Sequence, residues 1–252
     1  MRKITTDKLQ VNIYENRNLL GADAAELISG KIRELLDSKE NVNIIFASAP
    51  SQNEFLANLA GKPVDWSRIN AFHMDEYIGL DKDAPQGFGN FLKERLFEKV
   101  NCREVYYLNG SAGDPEEECQ RYTSLLEKYP TDIVCLGIGE NTHLAFNDPH
   151  VADFNDAKTV KVVDLDANCR TQQVNDGCFD QIGQVPTHAL TVTIPALFKA
   201  HYAYAIVPGK FKANAIFHTV TSKIGEEFPS TILRRHPDAI LFIDEDSAAQ
   251  IP

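Results

Sequence analysis

Positive charge is in short supply in this sequence. Lys and Arg number 25 against 36 Asp and Glu, a formal net charge of -11. A surface of that sign repels the backbone of nucleic acids and anionic membranes, so neither is expected as a partner. A small anionic ligand is still allowed, because a few donors set the field inside a cleft. The cysteines are Cys102, Cys119, Cys135, Cys169 and Cys178, odd in number and without a C-x-x-C pair. They speak against a disulfide framework or a thiolate zinc site and fit the reduced thiols of a cytoplasmic protein. The 7 histidines show no H-x-x-x-H or carboxylate ligand spacing, so no metal is expected. No apolar run has the length of a bilayer span, and the start, MRKITTDKLQ, lacks the apolar core of a secretion signal. No repeat, low-complexity tract or Pro/Gly/Ser linker divides the chain. Its 252 residues, 43% hydrophobic, suit one domain over 1–252.

What is present is an alternation. Short apolar runs at 11–14, 42–47, 69–74, 105–108, 133–138, 159–163, 190–194, 202–207 and 239–243 read as strands. Helical patterns at 22–36, 88–97, 115–128, 212–221 and 230–235 lie between them. This order predicts an α/β fold, Rossmann-like, with a mostly parallel, doubly wound sheet flanked by helices on both faces. NVNIIFA and TDIVCLGIG lack polar alternation and read as strands buried on both sides.

Ligands of such sheets bind beyond the carboxyl ends of the strands. Four strand ends there carry polar or glycine-containing loops: Ser48–Asn53, Asp75–Tyr77, Gly139–His143 and Pro208–Lys212. Asp75 follows a run of apolar and aromatic residues, with Glu76 pointing to the opposite side; a partly desolvated carboxylate there suits proton abstraction beside a carbonyl, although capping a turn is the plainer reading. His143 stands between Asn141 and Asp148, side chains able to orient an imidazole. The G-I-G at 137–139 lacks the third glycine of a dinucleotide fingerprint, so no such cofactor is implied. Lys212 opens a helix, where its charge gains nothing from the dipole, and that misfit points to an anion. Ser48, Ala49, Ser51 and Gln52 could add donors, or could simply cap the next helix.

Together these residues resemble the glucosamine-6-phosphate deaminase/isomerase family, whose fold is shared with 6-phosphogluconolactonases. Met74-Asp75-Glu76-Tyr77-Ile78-Gly79-Leu80 matches the family's MDEY-hydrophobic-GL motif nearly letter for letter, and His143–Pro149 resembles its H-I-A-F-N-E-P motif. The lactonase branch reads D-E-R at the first position, which sets this chain on the deaminase side. The resemblance implies a cofactor-free deaminating isomerase of an amino-sugar phosphate, glucosamine-6-phosphate or its galacto epimer. It makes Asp75 the base between C2 and C1 and His143 the ring opener, with Asn141 and Asp148 beside it. Lys212 and the 48–52 loop would hold the 6-phosphate, with Arg170 as a second phosphate contact. Three departures stand out: Asn141 replaces the family's Asp, Thr142 its Gly and Asp148 its Glu. They keep two alternatives open, a sugar-phosphate lactonase and a non-catalytic sugar-phosphate sensor. A homo-oligomer is equally open.

Overall fold

The computed structural model describes residues 1–251. Strands β1 (Arg2–Thr6) and β2 (Leu9–Tyr14) form an antiparallel hairpin that leads into α1 (Arg17–Leu36). The Asn16 side chain starts that helix by accepting the N–H groups of Asn18 and Leu19, two of the donors every helix start leaves free. There follow β3 (Val42–Phe46), α2 (Asn53–Ala60), β4 (Ile69–His73), β5 (Asp75–Tyr77) and α3 (Phe88–Leu92), which runs into a π-helical turn at Lys93–Phe97. The middle of the chain supplies β6 (Glu104–Tyr106), α4 (Pro115–Lys128), β7 (Ile133–Leu136), β8 (Val160–Asp164) and α5 (Ala167–Asn175). Last come β9 (His188–Val192), α6 (Ile194–Phe198), β10 (Tyr202–Val207), α7 (Ala213–Thr221) and β11 (Ala239–Asp244).

Eight strands form the main sheet in the order β1-β2-β11-β10-β7-β3-β4-β6. Apart from the β1–β2 hairpin every pairing in it is parallel. From β3 the chain winds outward through β4 to β6; from β7 it winds the other way through β10 to β11. The direction reverses between β3 and β7, and a crevice opens at the carboxyl ends of those two strands. Successive residues of one strand serve opposite cores: Val134 packs with Ile45, Phe72 and Leu241 on one face, Ile133 and Cys135 with Ile44, Phe46 and Phe242 on the other. Burial on both faces is why these segments read as unbroken apolar runs.

The single sheet expected from the sequence is in fact two. β5, β9 and β8 form a separate antiparallel sheet in that order. β8, Val160–Asp164, is only partly buried, as suits an edge covered on one side. Tyr77, Phe88, Phe146 and Phe179 pack beneath this small sheet. The stretch at 230–235 is a 3-10 helix, Pro229–Arg235, rather than an α-helix. The residue before a proline is pushed out of the α region, and His236, before Pro237, takes φ -69° and ψ 133°. The short helix α5 and the strand β1 have no signal in the apolar pattern.

Candidate active site

The crevice between β3 and β7 is lined by Ser48, Ala49 and Ser51 after β3, Met74 and Asp75 after β4, Gly137–Gly139 after β7, and Lys212 after β10. Phe88 from α3, Gln172 and Gln173 from α5, and His143, Ala145 and Phe146 complete the walls. Four parallel strands thus deliver to one hollow what the sequence separates by more than a hundred residues.

Asp75 is 7% exposed. Burial, and second the negative charge of Glu76, push its carboxyl well above the usual carboxylate range, so its proton is held more strongly than in water. Oδ1 has no hydrogen-bond partner in the protein. Glu76 turns the other way. Its carboxylate accepts the N–H groups of Tyr77 and Phe88 at 3.0 Å and of Gly89 at 2.9 Å, which fixes the turn that sets Phe88 in the pocket wall. The neighbouring His73 is a core histidine: Nε2 accepts the Leu108 N–H at 2.8 Å, and burial lowers its pKa to about 4.

His143 sits in a tight loop. Nδ1 lies 2.7 Å from Asn141 Oδ1 and 2.9 Å from Asp148 Oδ1. The Asn141 amide donates to the same Asp148 oxygen at 2.9 Å, so carboxylate, amide and imidazole form one closed set. Burial alone would raise the Asp148 carboxyl, but its bonds to His143 and Asn141 outweigh that and leave it lowered. Nε2 is left to the pocket. Gly139 makes this possible: a Cβ there would stand 2.2–2.4 Å from the His143 ring atoms. The G-I-G of the sequence therefore serves the imidazole rather than a nucleotide. Thr142 and Ala145, at φ +71° and +50°, hold the left-handed conformation on either side of His143. For a β-branched threonine that is strain, of the sort that concentrates at functional sites.

Lys212 is 6% exposed and pairs with no carboxylate within 4 Å among the described residues. Desolvation lowers its pKa, with the more distant Asp176 and Glu140 opposing. A buried ammonium without a counter-ion is a site for an anion. Gly209, at φ +99°, starts its turn, and the buried Asp244 accepts the Gly209 N–H at 2.9 Å.

Of the residues singled out in the sequence, Asp75, His143, Ser48, Ala49, Ser51 and Lys212 meet in the crevice, with Asn141 and Asp148 directly behind His143. Two do not line it. The Gln52 amide donates to Ile206 O at 2.9 Å and Ser51 Oγ at 3.0 Å, and so ties the loop to β10. Arg170 points away: its guanidinium donates to Ile182 O at 2.7 Å and Val185 O at 2.9 Å. Helix α5 turns Gln172 and Gln173 inward instead, residues the sequence pattern does not point to because ANCRTQQVN has little apolar stripe. Nor does the pattern point to Phe88, to Glu76 as an anchor, or to Asp244. His143, Asp148 and Cys169 offer nitrogen, oxygen and sulfur within 4.8 Å of one another, as Asp148, His150 and Asp166 do with nitrogen and oxygen. These groupings come from folding, and no sequence spacing announces them. In the first, two members are already bonded to each other.

The model of the glucosamine-6-phosphate isomerase/6-phosphogluconolactonase family matches residues 15–241. A glucosamine-6-phosphate deaminase of Bacillus cereus is 34% identical over 216 residues, 86% of this chain and 80% of that protein. One from Bacillus thuringiensis is 33% identical over the same shares. Among solved structures, a monomeric glucosamine-6-phosphate deaminase superposes with a TM-score of 0.87 at 28% identity, over 95% of this chain and 98% of that one. A 6-phosphogluconolactonase from Thermotoga maritima shares the fold at a TM-score of 0.77 and 21% identity, covering 94% and 100%.

Proposed function

Since this chain belongs to the glucosamine-6-phosphate isomerase/6-phosphogluconolactonase family, we propose that it is a deaminating aldose–ketose isomerase whose substrate is a 2-amino-sugar 6-phosphate. The supporting observation is that Asp75, His143 and Lys212 line one crevice, with a base, an acid/base and an anion site in reach of one small molecule.

In this reading the phosphate meets Lys212 and the Ser48–Ser51 turn, and its charge meets the one the buried ammonium lacks. The sugar lies across the crevice toward His143. Nε2 takes the proton of the O1 hydroxyl and passes it to the ring oxygen, which opens the ring to the aldehyde. Asn141 and Asp148 hold the imidazole by Nδ1, and the Asp148 charge stabilises the imidazolium as it forms. Asp75 then takes the C2 proton while a proton of the amino group passes to O1, giving a 1-hydroxy enamine, and Asp75 returns its proton to C1. The product is the 2-imine, and addition of water releases ammonia and leaves the 2-ketose phosphate. Asp75 carries the carbon-bound proton and His143 the ring-opening one. The 5 cysteines are all unpaired, which supports a reducing, cytoplasmic location.

The test is to incubate the purified protein with glucosamine-6-phosphate and with galactosamine-6-phosphate and to measure ammonia and ketose phosphate, beside Asp75→Asn. Equimolar release of both products, lost in the variant, is expected. Hydrolysis of 6-phosphogluconolactone that persists in Asp75→Asn, with no ammonia from either amino sugar, overturns the reading.

A further inference from the structure

The phosphate end of this crevice contains one full positive charge and a glutamine that the protein itself does not use. Helix α5 presents Gln172 and Gln173 to the pocket, 5% and 6% exposed. Gln172 is engaged at both ends: Oε1 accepts the Glu140 N–H at 2.7 Å, and Nε2 donates to Asp176 Oδ2 at 3.3 Å. It therefore braces the loop that carries Asn141 and His143. The Gln173 side chain enters no hydrogen bond with another described residue, although it is as buried as its neighbour. A side-chain amide is normally bonded to the protein or to water. One that lines a pocket without a partner is open to whatever fills that pocket. The arginine on the same helix is committed elsewhere, to the carbonyls of Ile182 and Val185.

Resting on the deaminase reading, we propose that Gln173 is a specificity-determining ligand of the substrate phosphate: its carboxamide N–H groups complete, beside Lys212 and the Ser48 and Ser51 hydroxyls, an anion site with a single cation. Gln173 and Lys212 line the same hollow, and Asp176, the residue that ends α5, carries a charge that reaches Lys212. A site of this composition recognises a phosphate monoester by hydrogen-bond geometry more than by charge. An amide offers two donors where an arginine offers a fork of five with a full charge.

The test compares Gln173→Ala, Gln173→Glu and Gln173→Arg, each first shown by circular dichroism to fold. Hydrogen bonds to charged groups predict that Gln173→Ala raises KM for the amino-sugar phosphate by about 10-fold, with kcat within about 2-fold. Gln173→Glu keeps the shape but sets a carboxylate against the phosphate, and raises KM by roughly 100-fold or more. Gln173→Arg returns KM to the wild-type value or below. Equal effects of Ala and Glu, or a fall in kcat at constant KM, overturn the assignment and make Gln173 a structural prop. Inorganic phosphate separates this from the wider reading. If the wild type releases no ammonia, its melting temperature still rises with added phosphate and that of Gln173→Glu does not. An equal phosphate-induced rise in both proteins refutes the proposal.

Discussion

Asp75 and Thr191 stand opposite each other across the β5–β9 pair, and the Thr191 hydroxyl accepts the Phe146 N–H at 3.0 Å. One residue of a buried strand thus joins the two motifs that carry the chemistry, the acidic strand end and the histidine loop. The Asn147 amide adds to the clamp, donating to Val192 O at 2.9 Å.

Thr191→Val keeps the volume and removes the oxygen. The Phe146 N–H is then buried without a partner, which costs about 1–3 kcal/mol. The loop it holds also contains the left-handed Thr142 and Ala145, conformations that persist only where their surroundings enforce them. Chemical denaturation should show that loss, and steady-state assays should show kcat falling about 10-fold with KM little changed. Wild-type kcat in a destabilised variant would mean that the clamp serves the fold alone.

The pH dependence follows from Asp75. A base must be unprotonated, and burial and Glu76 raise its pKa. Activity should therefore fall away on the acid side at a pH above the ordinary carboxylate range, near 4 for aspartate. Glu76→Gln withdraws one charge and should move that acid limb to lower pH. It should also lower stability, because an amide cannot accept all three N–H groups that the carboxylate takes. Profiles of log(kcat/KM) against pH for the two proteins check both statements. An unmoved limb would show that desolvation alone sets the Asp75 pKa.

Sequence pattern carried the main sheet well because strands buried on both faces are continuous apolar runs. The loops after β3, β4, β7 and β10 were located by the same logic, since parallel strands end on one edge. It failed where burial is one-sided or polar. β5 is three residues of an acidic motif, and its strand character comes from pairing with β9. α5, with the sequence ANCRTQQVN, has little apolar stripe, and its orientation decides which side chains reach the pocket. Hence the family resemblance offers Arg170 as a phosphate contact, whereas helix rotation delivers Gln172 and Gln173. Gln52 failed similarly: near the loop in sequence, it is drawn under it by Ile206 O.

The exchange at positions 141 and 148 gives a contrast. His143 has a single charged partner, Asp148, with Asn141 orienting both. Asp148→Asn keeps the shape and removes the charge bonded to the imidazole, so kcat should fall by roughly 10^3–10^4 with KM near the wild-type value. Asn141→Ala leaves that charge and loses only orientation, with an expected loss of about 10- to 100-fold. Single-turnover assays with each variant test the order. A larger loss in Asn141→Ala would make position 141 the principal partner.

Lys212 yields a prediction of opposite sign for stability and for binding. Its folded pKa is lowered by desolvation, so over the window between that value and the ordinary lysine value the unfolded chain holds the additional proton. Ligand-free stability must therefore rise with pH across the window, and the penalty is fully present below it. Lys212→Met removes the buried charge and should raise the ligand-free melting temperature at pH 7 by about 2–4 °C, the usual yield of 1 kcal/mol in a domain of this size. Phosphate supplies the missing counter-charge in the wild type, whose melting temperature should climb with phosphate concentration as binding linkage requires. In Lys212→Met that climb should vanish and KM should rise about 100-fold. Calorimetric scans of both proteins with and without phosphate decide the matter: a variant that melts lower than the ligand-free wild type, yet still responds to phosphate, would place the anion somewhere other than on this ammonium.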